Sequence, residues 1–447
     1  MQKFYNRESQ LETLREISTN IEYSKGRLSV VVGRRRVGKT RLLNEAFDSQ
    51  KQQHLYLFIS RKSEKALVSE FAAILEVKLN IRFFQPASLK DIFEYLFDYA
   101  TKTPLTIVVD EFQDIERVSP GLFSDLQNLW DSYKENAMLH LVCCGSLYNL
   151  MTRLFKDEKQ PLLNRDDYFF KINPLTPGYI KAIMQDNGKY NPNDLLLWWC
   201  LSGGIPKYLE WLNNATTAPL INLISETSPL IKEGMHRLVE DFGSEHRAYF
   251  DILGAIASGY NTRPRIEDYL AIGVGVHLEK LEKDFDIINK IRSITAKDSS
   301  RDIRYEIADE FLSFWFRFIY SNRSAVEIEN FDFIRQIINR DFDTYSGKQL
   351  ENLFKAILAE SKQFNQIGSY WDSKGEDEID IVAIDDLNKK ILIAEVKRQS
   401  RKYSETKLIM KSKSLLQQLN RQSYEVSFRG FTLDNLDEVL TEYAHAR

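Results

Sequence analysis

Cysteine is scarce: the chain has three in 447 residues, Cys143, Cys144 and Cys200. None stands in a Cys-x-x-Cys spacing, so nothing supports a disulfide framework or a thiolate zinc site. Three buried thiols in a reducing cytosol are expected. Long apolar runs are lacking too. No stretch approaches the roughly 20 residues of a membrane helix, and the opening MQKFYNRESQ has no signal-peptide core. A cytoplasmic chain without membrane contact is expected. An excess of one charge is also missing: 60 Lys and Arg against 64 Asp and Glu leave a net charge of −4. That excludes a uniformly basic nucleic-acid binder, so any such surface must be local. No low-complexity tract or repeat occurs. The length is too great for one core, and two to four domains are expected.

What is present begins with residues 28–40, LSVVVGRRRVGKT. An apolar strand stops at Gly33, and Gly38-Lys39-Thr40 follows at the spacing GxxxxGKT. Gly33 and Gly38 let the backbone fold tightly enough for successive N–H groups to wrap a phosphate. The helix starting at Lys39 points its positive end at the same anion. Lys39 is expected to reach the β- and γ-phosphates of ATP, and Thr40 to ligate Mg²⁺. Val37 and Arg41 flank these residues and join them as expected nucleotide contacts.

Residues 105–114, LTIVVDEFQD, form an apolar strand that delivers Asp110 and Glu111 at its carboxyl end. In parallel α/β sheets that is the edge where ligands bind. Asp110 is expected to hold Mg²⁺ through water, and Glu111 to orient the attacking water. Residues 139–146, LHLVCCGS, form another buried strand. Ser146 there is either a γ-phosphate sensor or an N-cap for the next helix. Arg165, in PLLNRDDYFF, is either an arginine finger or a loop arginine.

Near the carboxyl terminus, residues 345–358 read as an amphipathic helix carrying Glu351. Strands follow at 367–371, at 378–383 with Asp380, and at 391–397 with Glu395 and Lys397. Residues two apart in a strand share a face, so Glu395 and Lys397 point together. Two carboxylates and a lysine beside apolar strands need partners. A divalent cation on Asp380 and Glu395, with Glu351 nearby, meets that need. Hard oxygen ligands favour Mg²⁺ or Mn²⁺. Lys397 would then position or activate a water. Asp386 is expected to cap the hairpin turn instead. Downstream, Arg398, Arg401, Lys402, Lys407, Lys411 and Lys413 suggest a track for a phosphate backbone.

GRRRVGKT, LTIVVDEFQ, LVCCGS and the later GGIPKYL together resemble the archaeal-type ATPase family, within the AAA+ and STAND-like P-loop ATPases. The resemblance spans roughly residues 1–320. It implies that Asn6 and Arg7 lie near the nucleotide base, and that the turn at Pro206 contacts nucleotide from a helical lid. It also implies that residues 161–165 match a family pattern ending in an arginine. That pattern usually has glycine where this chain has Asn164. The acids and lysine of the last segment resemble the PD-(D/E)XK nuclease superfamily, and more narrowly a domain of unknown function that follows such ATPase modules.

The expected fold is α/β. A P-loop, AAA+-like parallel-sheet ATPase core occupies 1–172, a helical lid 173–240, a winged-helix domain 241–328, and a restriction-endonuclease-like α/β domain 329–447. The β-wing is expected over 287–305, packing between domains. The leading reading is an ATPase whose nucleotide state controls a metal-dependent DNA nuclease. The alternative is an ATP-driven switch that binds DNA or protein without cleavage. A transcription regulator acting through the winged helix is a third. Homo-oligomer or protein partner is left open.

Overall fold

The computed structural model describes residues 4–48, 53–214, 224–225, 228–242, 246–372 and 377–444. The chain divides into two compact units, 1–173 and 174–447.

The first unit is built on a five-stranded parallel sheet. Its strands are β1 (Arg27–Val32), β2 (Gln53–Phe58), β3 (Leu105–Asp110), β4 (Leu139–Gly145) and β5 (Tyr168–Lys171), in the order β2-β3-β4-β1-β5. β3 and β4 are buried at every position, and β1 at all but its first. That is why they read as unbroken apolar runs: helices cover both faces of such a sheet. β4 lies between β1 and β3, with Val32 paired to Gly145 and Val109 to Cys143. The carboxyl ends of the three strands are therefore level. Gly33 follows β1 because nothing larger fits: a Cβ there would stand 2.4 Å from the carbonyl oxygen of Ile172.

One buried polar chain crosses this sheet. His140 Nε2 lies 2.9 Å from Ser29 Oγ, and its Nδ1 lies 3.2 Å from Ser18 Oγ. Ser18 Oγ is in turn 2.7 Å from Thr106 Oγ1. Complete burial pushes the His140 pKa down to about 3, so the ring is neutral. The three cysteines are fully buried, and burial raises their thiol pKa values well above the ordinary range. They are inert thiols.

The second unit opens with helices Pro177–Asp186, Pro192–Ser202 and Pro206–Asn214. Helices His246–Ala257, Arg263–Leu270 and Gly275–Lys283 come next, then the antiparallel hairpin β6 (Ile288–Ile291) and β7 (Arg304–Ile307). The aromatic stretch is a helix, Glu310–Phe314, running into a π-helical turn, Trp315–Ile319, and its rings are core. A 30-residue helix, Phe331–Glu360, leads to a second sheet. Its strands β8 (Gln366–Trp371), β9 (Glu378–Asp385), β10 (Lys390–Val396) and β11 (Glu425–Phe431) lie in the order β11-β10-β9-β8. β8–β9 and β9–β10 are antiparallel, and β10–β11 is parallel. The helix Glu405–Leu419 connects β10 to β11. No described helix is long and apolar enough to cross a membrane.

The segment joining β6 to β7 packs along edge strand β8. Ile294 N–H donates to the Ser369 carbonyl at 2.9 Å, and Trp371 Nε1–H donates to Asp302 Oδ2 at 2.7 Å. Arg304 pairs with Glu378 at 2.6 Å and stacks over the Trp371 ring. An edge strand with open N–H and C=O groups invites foreign pairing, and this cover blunts it.

Candidate functional site

Gly38, at φ 95°, turns the chain into the helix Lys39–Phe47. Only a residue without a Cβ enters that conformation freely. Lys39 is buried, and its Nζ donates to the Gly33 carbonyl at 2.8 Å and to that of Arg34 at 3.3 Å. The ammonium thus lies inside the loop. Val37 is buried under the loop, where a Cβ on Gly33 would meet its Cγ1 at 3.1 Å. Thr40 Oγ1 stands 3.4 Å from Asp110 Oδ2. A hydroxyl and a carboxylate converging from the first helical turn and the end of β3 suit Mg²⁺, a hard cation that keeps several waters.

Asp110 is buried at the end of β3, and its Oδ1 accepts the Glu111 N–H at 2.9 Å. Its Oδ2 accepts the Tyr56 hydroxyl from β2. Burial first, then the Asp110 charge, pushes the Tyr56 pKa well above the ordinary phenol value, so the hydroxyl keeps its proton. Glu111 sits in the left-handed region at φ 51°. That conformation is uncommon outside glycine and is held only where surroundings fix it. Here they do: Glu111 Oε2 accepts the Ser146 hydroxyl at 2.7 Å and a Gln113 amide N–H. Ser146 is not the N-cap weighed as one alternative. The following helix, Tyr148–Lys156, has Leu147 at that position.

Arg165 is engaged on all sides. Its Nη2 lies 2.6 Å from Asp131 Oδ2, and its Nη1 donates to the carbonyls of Pro161 at 2.8 Å and Leu163 at 3.2 Å. A finger role in this subunit would require the guanidinium to leave those partners. Asn164 takes φ 54°, so asparagine supplies the left-handed turn that glycine would otherwise serve. Arg7 is buried and donates to the Asn173 carbonyl, Asn6 precedes it at φ 51°, and the Arg41 guanidinium lies 5.4 Å from the Phe4 ring centroid. Pro206 belongs to the second unit. It follows Gly203 and Gly204, at φ 53° and 79°, and starts a helix.

In the second unit a charged cluster forms around the β9–β10 ladder. Ala394 pairs with Ile381, which sets Glu395 opposite Asp380. Lys397 Nζ lies 2.8 Å from Glu395 Oε1 and 3.6 Å from Asp380 Oδ2. Burial works against this ammonium, but the Glu395 hydrogen bond and the charges of Asp380, Glu395 and Glu351 outweigh it and raise its pKa. Lys411 approaches Glu395 at 3.6 Å. Asp380 Oδ2 also accepts the Val396 N–H at 2.7 Å.

Glu351 does not complete the expected ligand set. Its Oε2 pairs with Lys348 at 2.9 Å, and Lys348 also holds Glu306 of β7 at 3.2 Å. Burial raises the Glu351 pKa; Lys348 opposes that shift and the Asp380 charge adds to it. Among the described residues no three carboxylate, histidine or cysteine groups stand together as a metal cluster. The acids are matched by ammonium groups instead. Arg398 is tied to Asp343 at 3.1 Å, so the basic run does not form one free track. Asp385, not Asp386, caps the β9–β10 turn, accepting the Asn388 N–H at 3.0 Å. Asp386 instead binds Asn365, Arg421 and Tyr424.

Several site groups carry no sequence signal. Tyr56 meets Asp110 only across strands. Lys355, on the long helix, donates to Ser369 Oγ at 2.7 Å, and Ser369 donates to the Asp380 carbonyl at 2.9 Å. Burial, with the Lys348 charge, lowers the Lys355 pKa. Gln113 had a hint: it stands two residues after Glu111.

A family described as an ATPase domain predominantly from Archaea matches residues 4–212. This part of the chain is similar to that family, from the first helix to the helix that begins at Pro206. Beyond the ATPase domain, residues 315–409 match a family described as archaeal and bacterial proteins of unknown function. An uncharacterized protein of Methanocaldococcus jannaschii is 28% identical over 418 residues, covering 91% of this chain and 90% of the relative. The Walker-type ATPase of Pyrococcus abyssi shares the fold at a TM-score of 0.53 and 22% identity, covering 70% of this chain and 96% of that one. The ATPase domain thus has the α/β architecture of known P-loop ATPases.

Proposed function

We propose that the chain binds ATP with Mg²⁺ at residues 33–40, hydrolyses it, and uses its nucleotide state to switch the second unit. The observation that carries this reading is the convergence of Lys39, Thr40, Asp110, Glu111 and Ser146 at one sheet edge, in a domain similar to an ATPase family. Lys39 and the loop N–H groups would bind the phosphates. Thr40 and Asp110 would hold Mg²⁺, which when bound offsets the negative charge of the phosphate oxygens. Glu111, released by Ser146 and Gln113, would orient the attacking water and draw its proton. The test is phosphate release from ATP by the wild-type chain and by Glu111→Gln. The variant should retain bound ATP and turn over about 100-fold more slowly or worse. Equal turnover would overturn the assignment.

We further propose that residues 173–240 form a lid, 241–328 a winged-helix module and 329–447 an effector domain. The effector engages DNA or a protein without cutting it. The pairing of Asp380 and Glu395 with Lys397 and Lys411 favours this, since each acid already has a cationic partner. Exposed Lys402, Lys407 and Lys413 offer charge for a polyanion. A second reading, a PD-(D/E)XK-like nuclease using Mg²⁺ or Mn²⁺, draws on the facing of Asp380, Glu395 and Lys397 on adjacent strands. The residues fit a pair of metal ligands and not the expected three.

A further inference from the structure

The strand beside β3 contributes a side chain to the metal edge that the phosphate-loop motifs do not include. β2 and β3 are parallel, with Tyr56 paired to Val108 and Phe58 to Asp110. Tyr56 is therefore the diagonal neighbour of Asp110 on the same face, a separation that an aromatic side chain spans. Leu55 and Leu57 turn the other way into the core. The Tyr56 hydroxyl donates to Asp110 Oδ2, the oxygen that also faces Thr40 Oγ1 at 3.4 Å. The Glu111 N–H holds the other oxygen at 2.9 Å. A carboxylate has about four lone-pair sites, so these donors fix its plane and leave acceptor capacity toward Thr40.

We propose that Tyr56 is a positioning residue for metal–nucleotide binding, its hydroxyl holding the Asp110 carboxylate turned toward Thr40. This rests on the reading of residues 33–40 as a Mg²⁺–nucleotide site. Without the hydroxyl, Asp110 keeps on its side chain the long 3.4 Å Thr40 contact and the weak thiol donor Cys144. Partners that orient a ligand for a metal typically control its affinity about 10- to 100-fold.

Tyr56→Phe keeps the ring and removes the donor. A fluorescent ATP analogue would be titrated into the full-length wild type and the variant, first in EDTA and then with increasing Mg²⁺. The expected result is unchanged affinity in EDTA, with the Mg²⁺ concentration for half-maximal enhancement raised about tenfold. Coincident Mg²⁺ curves would overturn the proposal. So would a curve shifted to lower Mg²⁺, which would make the hydroxyl a competitor of the metal, and so would an equal loss in EDTA, which would make Tyr56 a general structural residue. A wild-type affinity that ignores Mg²⁺ would overturn the underlying reading of the site instead.

Discussion

The two carboxylate clusters differ in what neutralises them. In the ATPase domain, Asp110 accepts from a phenol, a threonine hydroxyl and a backbone N–H, and Glu111 from a serine hydroxyl and an amide. Those donors are neutral. They orient the acids without cancelling their charge, which stays available to a cation. In the second unit, Asp380 and Glu395 face ammonium groups, and so does Glu351. There the charge is spent within the protein. Carboxylates at the end of a strand are thus not equivalent sites. Their donors differ in charge, neutral in the first cluster and cationic in the second.

The ATPase domain also buries one neutral imidazole, His140, and acid should expose that first. His140 is charged below about pH 6.5 when unfolded but only near pH 3 when folded. Between those values the unfolded chain binds the extra proton. Stability contributed by the neutral ring is therefore complete above pH 6.5 and falls as pH drops toward 3, by about 1.4 kcal/mol per pH unit. Denaturant unfolding of the first unit at pH 7.5 and pH 5.5 should register the loss, and His140→Gln should flatten it. An unchanged slope in that variant would remove His140 as the cause.

A smaller effect is expected in the second unit. Asp380→Asn removes the longer, 3.6 Å partner of Lys397 from a largely buried cluster and leaves Glu395 at 2.8 Å, so the cost should be about 1 kcal/mol. ATP turnover should stay at the wild-type rate. Wild-type and variant chains should both leave plasmid DNA intact with Mn²⁺. Nicking by the wild type that disappears in Asp380→Asn would break the contrast and restore the nuclease reading.

Much of the first site was legible because its chemistry is local. GxxxxGKT after an apolar run, and a strand ending in Asp110-Glu111, fix loop, helix and acid by spacing alone. Strand order and the Glu111–Ser146 bond needed the third dimension, since 35 residues separate that pair. β5 escaped notice because its four residues follow Arg165-Asp166-Asp167. β11 escaped because Arg429 and Gly430 interrupt its apolar pattern. The long helix was expected only over 345–358. In its first half the buried positions are as sparse as Ile334 and Ile338, too few to register as a face. The acid–lysine register on β9 and β10 followed from strand periodicity. Lys348, three residues before Glu351 on the same helix, was a legible partner for it, whereas Glu306 arrives from a hairpin far upstream and was not.

The most direct test of the account is calorimetric titration of ATP with Mg²⁺ into the wild type and Lys39→Ala. The buried Lys39 ammonium, bonded to the Gly33 and Arg34 carbonyls, lies inside the loop where the phosphates would bind. One saturable site is expected in the wild type and no measurable binding in the variant, with both chains folded by circular dichroism. Equal affinity in the two would contradict it.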